Sequence, residues 1–290
     1  MTKTVKGYAK INLHLDICGI REDGYHDVET VMQTLSLCDT VSVSLIEGGE
    51  IFCECNVAGV PTDEKNIAVK AATLFLKEAN INSGVHIKIE KNIPMAAGLA
   101  GGSTDAAATL RGLNALCKDI FDMQKLCEIG SRLGADVPFC IKGGCAYTDG
   151  KGDIIHDFPP LPEDTVFLVA CGGEGVSTPW AYRLMDEVFE NFKDYIPKGV
   201  NSLKKALLSD APYDFSNHLF NIFEEPVLAH RPVVAEIKEI MLEHQASAAM
   251  MSGSGPSVFG IFKDKKLAEI AEEKIKNRGY FAQICVPVSM

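Results

Sequence analysis

Apolar and polar residues alternate through residues 6–15, with Ala9, Ile11, Leu13 and Leu15 on one face of a predicted strand and Tyr8, Lys10, Asn12 and His14 on the other. The same period of two covers Val41, Val43 and Leu45, at the end of a strand-like stretch that opens at Thr30, and returns at Val85, Ile87 and Ile89. Helical spacing takes over at 67–79, where Ile67, Ala71, Leu74 and Phe75 form one stripe, and at 123–133. Pro138 is expected to stop the chain from continuing as helix, which puts Asp136 on a turn. Gly143-Gly144 and 149–152 read as hairpin turns, and Phe158-Pro159-Pro160-Leu161-Pro162 as a linker, so the chain divides into domains 1–160 and 161–290. Beyond the linker the pattern predicts strands at 166–170, 258–262 and 280–288 and helices at 180–189, 200–208, 233–245 and 265–277. That succession is α+β.

The run Pro94-Met95-Ala96-Ala97-Gly98-Leu99-Ala100-Gly101-Gly102-Ser103-Thr104 separates the Val85–Ile89 alternation from an apolar helical stretch that starts at Asp105. Strand, small-residue loop and helix start thus follow in order, and three glycines and three alanines within seven residues let a ligand approach the backbone. A helix N-terminus favours an anion, and phosphate is the anion this pattern suits. Ser103 or Thr104 is expected to cap the helix. The competing reading is a small-residue run that only packs a helix tightly on a sheet. Gly150-Lys151 is followed by Gly152, so no G-x-x-x-x-G-K-[ST] occurs, and no G-x-G-x-x-G follows a strand. P-loop NTPases and Rossmann dehydrogenases are therefore disfavoured. A second glycine-rich run lies at 251–257.

Lys10 and Asn12 stand side by side on the polar face of the first strand and suit an anionic or polar ligand, against the plainer reading of a solvent-facing side. After the turn Arg21-Glu22-Asp23-Gly24, Tyr25 and His26 offer one stacking face and one hydrogen-bonding ring, or are simply a surface aromatic and a surface histidine.

The chain of 290 residues is 47% hydrophobic and 23% charged, and its 28 basic against 39 acidic residues give a net charge of −11. Such a field repels nucleic acid and anionic membranes. No signal-peptide-like segment is present at the start, and the longest apolar run, 166–171, is too short to span a bilayer. A cytoplasmic protein with a small-molecule partner, monomeric or weakly dimeric, is expected. The ten cysteines include close pairs only at Cys53/Cys55 and Cys140/Cys145, without zinc-site spacing, and read as reduced thiols.

Five separated motifs, Ala9-Lys10-Ile11-Asn12-Leu13, Asp23-Gly24-Tyr25-His26, residues 94–107, Gly134-Ala135-Asp136-Val137-Pro138-Phe139 and Ser252-Gly253-Ser254-Gly255-Pro256, together resemble the GHMP superfamily of small-molecule kinases. The likeness is strongest to the branch that serves the non-mevalonate isoprenoid route. It implies an N-terminal domain like domain 2 of ribosomal protein S5, a ferredoxin-like C-terminal domain and an active site in the cleft between them. It also implies ATP and Mg²⁺, with the γ-phosphoryl group passing to a hydroxyl of a methylerythritol unit in a cytidine diphosphate ester. Phosphoryl transfer needs a phosphate cradle, charge stabilisation and a group that orients or deprotonates the acceptor. Residues 94–104, Lys10 and Asp136 answer these needs in turn, with Ser103 or Thr104 near the metal. Asn12, Tyr25, His26 and Tyr182 are left for the substrate, the two tyrosines sandwiching its base. Cys171-Gly172-Gly173-Glu174 departs from the lysine or proline segment usual before Gly175.

Overall fold

The computed structural model describes residues 1–289. Strands β1 (Thr2–Ile20) and β2 (His26–Ile46) run through two compact units, one made of Met1–Ala9, Leu37–Met95 and Ala100–Gly143, the other of Lys10–Ser36, Ala96–Leu99 and the chain from Gly144 on.

In the first unit β3 (Ile51–Cys55), which the alternation had not marked, pairs parallel with β4 (Gly84–Glu90), and β4 pairs antiparallel with the end of β2 in the register Thr40 to Glu90. Val85, Ile87 and Ile89 are buried beside Val41 and Val43, as their period requires. Helix α1 (Ile67–Ala79) starts at Asn66, whose side chain accepts the Ala68 N–H, and packs on α2 (Gly101–Leu116). α3 (Met123–Ser131) is followed by α4 (Asp136–Lys142). Pro138 therefore does not stop a helix. It is the third residue of a new one, where its missing N–H has no partner to lose, and Asp136 opens that helix instead of sitting on a turn.

The second unit holds the hairpin of β5 (Cys145–Asp149) and β6 (Ile154–Asp157), with β5 paired to β2 at Thr30 to Gln33. Its antiparallel sheet joins β7 (Val166–Cys171) with three later strands, and α5 (Thr178–Val188), α6 (Asn201–Leu207), β8 (Phe220–Asn221), α7 (Glu224–His230) and α8 (Pro232–Glu243) intervene. β9 (Ala248–Met251), β10 (Val258–Phe262), α9 (Lys265–Asn277) and β11 (Phe281–Cys285) complete it, in the sheet order β11-β7-β10-β9. One apolar core joins Leu168 and Ala170 of the sheet with Ile237 and Met241 of α8 and Ala268 and Ile275 of α9.

Candidate active site

Helix α2 begins at Gly101 behind Ala100, which is in the left-handed region (φ 57°) and has no side-chain oxygen to cap with. Ser103 and Thr104, the expected caps, lie inside the first turn. The Thr104 N–H already bonds the Ala100 carbonyl at 2.9 Å, and its hydroxyl is buried and donates to the Tyr8 carbonyl at 2.5 Å. The N–H groups of Gly101, Gly102 and Ser103 precede that first helical bond, and no side chain caps them, which is what an anion-binding helix end needs.

A buried ionic node fixes both ends of the loop. Lys91, one residue past β4, places its ammonium 2.5 Å from Asp39 Oδ2 and 2.8 Å from Asp105 Oδ2, and donates to the Gly101 carbonyl at 3.2 Å. Asp39 Oδ1 takes the N–H groups of Asn92 and Ile93, just before Pro94, at 2.6 and 2.9 Å. Two carboxylates thus share one ammonium. Burial raises the Asp105 carboxyl to about 7 despite the cation beside it, and the charge of Asp39 adds to the rise.

Residues 96–99 of the loop belong to the second unit, where the second glycine-rich loop holds them. Ser252 Oγ donates to the Gly98 carbonyl at 3.0 Å, the Ser257 N–H to the Ala97 carbonyl at 3.2 Å, and the Lys10 N–H to the Leu99 carbonyl at 3.2 Å. Asn221 Nδ2 in turn donates to the carbonyls of Met251 and Gly253 at 2.7 and 2.9 Å. The polar face of β1 is buried and not solvent-facing: Lys10 Nζ donates to Asn12 Oδ1 at 2.7 Å, Asn12 Nδ2 to Thr30 Oγ1 at 2.8 Å, and Thr30 Oγ1 to the His14 carbonyl at 2.6 Å. This relay turns the oxygen of Asn12 towards Lys10 and so holds the ammonium in place. Asp136, in the first unit, is half-buried in the first turn of α4, where the helix dipole favours a carboxylate.

Tyr25 is 61% exposed, and the Lys151 ammonium sits 3.9 Å from its ring centroid while pairing with Asp23 at 2.8 Å. The Tyr182 ring lies 4.7 Å from that of His26 and 4.9 Å, edge-on, from that of Phe223. Tyr182 thus lies against His26, the two ring planes tilted by 36°. His26 Nε2 is 2.7 Å from Asp186 Oδ1.

The family of GHMP kinases N terminal domains matches residues 66–144, and that of GHMP kinases C terminal domains residues 203–280. The 4-diphosphocytidyl-2-C-methyl-D-erythritol kinase of Clostridium perfringens is 40% identical over 97% of this chain and 96% of its own length, and that of Brevibacillus brevis 44% identical over 93% and 91%. The chain belongs to the 4-diphosphocytidyl-2-C-methyl-D-erythritol kinase family of GHMP kinases. A solved 4-(cytidine 5'-diphospho)-2C-methyl-D-erythritol kinase superposes with a TM-score of 0.78 at 32% identity, covering 98% of this chain and 99% of that one. Homoserine kinase from Cytophaga hutchinsonii superposes at 0.76 with 18% identity, over 99% of this chain and 95% of that one, which shows the shared α+β fold.

In this small-molecule kinase, sequence reasoning missed Asp39, Lys91, Asn221 and Asp186 as site-supporting groups. Ser252 and Ser257 fell inside a noted motif, and glycines at 253 and 255 were their one visible signal. Among the described residues no cluster of three or more His, Cys, Asp or Glu is placed to hold a metal ion, and no helix is long and apolar enough to cross a membrane.

Proposed function

We propose that this kinase transfers the γ-phosphoryl group of ATP to the hydroxyl at position 2 of 4-diphosphocytidyl-2-C-methyl-D-erythritol. The observation that carries the reading is the uncapped start of α2, three N–H groups behind a loop of glycine and alanine, which suits the phosphates of a nucleotide. Residues 94–104 bind ATP in this reading, the loop through its backbone. Lys10, oriented by Asn12, stabilises charge on the transferred group, and Asp136 accepts or orients the proton of the substrate hydroxyl. Tyr25 offers an exposed ring to the base, and His26, backed by Tyr182, offers its edge. Mg²⁺ neutralises phosphate charge when bound. Ser103 Oγ, which is half-buried, would suit it better than Thr104 Oγ1, which is fully buried against the Tyr8 carbonyl, and phosphate oxygens and water would complete its shell. The same reading takes 1–160 as the ATP-binding domain and 161–290 as the C-terminal domain. It has the protein cytoplasmic, monomeric or weakly dimeric, and without nucleic-acid partners.

The test is a coupled ADP-release assay with the cytidyl ester, free methylerythritol, galactose, homoserine and mevalonate as acceptors. Turnover of the cytidyl ester alone is expected, with Lys10→Ala and Asp136→Asn each losing at least about 10²-fold in kcat while staying folded. Full kcat in Asp136→Asn would remove it as the base. Equal turnover of the other alcohols would reduce the reading to a GHMP kinase of another alcohol.

A further inference from the structure

We propose that Asp186 fixes the hydrogen-bonding polarity of His26 and thereby makes the substrate site select cytosine over uracil. The inference rests on the reading above, in which His26 meets the base edge.

The side chain of His26 is 10% exposed, and its ring lies 4.7 Å from that of Tyr182 and 5.9 Å from that of Phe192, which meets it edge-on. These neighbours restrict rotation of the imidazole. An ionised carboxylate only accepts hydrogen bonds, so at the 2.7 Å contact Nε2 donates to Asp186. In the neutral imidazole, which has one donor and one acceptor nitrogen, this leaves Nδ1 as the acceptor. Asp186 follows Tyr182 by four residues on α5, so one face of one helix supplies both the ring that lies against His26 and the carboxylate. Cytosine carries an exocyclic amino donor where uracil carries a carbonyl oxygen. An acceptor at Nδ1 pairs with the first and opposes the second lone pair to lone pair. Stacking on an aromatic ring tolerates either base, so discrimination falls to this contact.

The experiment uses the full chain as wild type, Asp186→Asn and Asp186→Ala. The Asp186 side chain is 31% exposed on α5, so neither change opens a core cavity. It measures kcat/KM for the cytidine and uridine diphosphate esters of methylerythritol, the KM for ATP, and the ¹⁵N shifts of His26 in the free protein. Wild type is expected to show the Nε2–H tautomer and to prefer the cytidine ester. Both variants should lose at least about tenfold of that preference while the KM for ATP holds. An unchanged preference in both variants, or an Nδ1–H tautomer in wild type, would overturn the role of Asp186 and leave the kinase reading standing. Wild-type silence towards the cytidine ester would bring down both.

Discussion

Replacing Gly98 by alanine measures how firmly the phosphate loop is held. Gly98 has φ +75°, and a Cβ built on it stands 2.2 Å from the Ser252 carbonyl oxygen and 3.2 Å from that of Gly255. Two penalties add. Left-handed backbone costs an L-residue about 1–2 kcal/mol. Real Cβ contacts do not fall below 3.0 Å, so backbone on one side has to move by about 0.8 Å, away from the hydrogen bond between Ser252 Oγ and the Gly98 carbonyl. Misplacing a positioning group by that distance costs about 10²-fold in rate. Thermal unfolding and ADP-coupled kinetics at varied ATP should then show stability lower by at least about 1 kcal/mol, about 2–4 °C in a chain of this size, and kcat/KM for ATP lower by about 10²-fold. Gly102→Ala serves as the contrast, because its Cβ meets only Ile67 Cγ2 at an ordinary 3.5 Å. It is helical, and a gain of up to about 1 kcal/mol is expected. If Gly98→Ala melted like the parent with its ATP kinetics intact, the anchoring of the loop at Ser252 would be refuted.

Lys91→Met leaves two buried carboxylates without their shared cation and is expected to cost about 3–5 kcal/mol in urea unfolding, whereas Asp105→Asn, which keeps the pair with Asp39, should cost much less. Burial lowers the His14 imidazole from 6.5 to about 4. Between those values only the unfolded chain binds the proton, so stability falls as pH falls, by about 3 kcal/mol for this group. Asp105, raised to about 7, titrates in the opposite sense over the same range, so the readout is a difference: between pH 7 and 4.5 wild type should lose about 2 kcal/mol more than His14→Gln in denaturant unfolding. Ala96 is held at φ 50°, so Ala96→Gly should be neutral to stabilising by about 1 kcal/mol despite the added chain entropy, read by the same melts.

What the sequence disclosed was local. Strand β4, the small-residue loop and α2 follow directly from a period of two, a run without large side chains and a helical stripe, and Lys10 and Asn12 share a face because alternation puts them there. What it concealed depends on partners far along the chain. Asn12 on the polar face of β1 bonds Thr30, the ring of His26 meets a carboxylate 160 residues away, and Lys91 meets Asp39 across 52. Local propensity also misled at two places. Serine and threonine after the loop looked like caps, yet the helix starts earlier, at Ala100, in a conformation alanine disfavours and the neighbouring backbone bonds impose. Pro138 looked like a terminator because periodicity cannot tell the end of one helix from the first turn of the next.

The loop offers its peptide groups to a ligand, and its side chains carry little of the chemistry. Residues 96, 97 and 100 are already alanine, so an alanine scan rewrites those positions as themselves and would file the segment as tolerant. Side-chain mutagenesis is the wrong reagent for it. Replacing the amide of Gly101 or Gly102 by an ester, through semisynthesis, removes one N–H while leaving every side chain in place, and reads the contribution of the backbone directly.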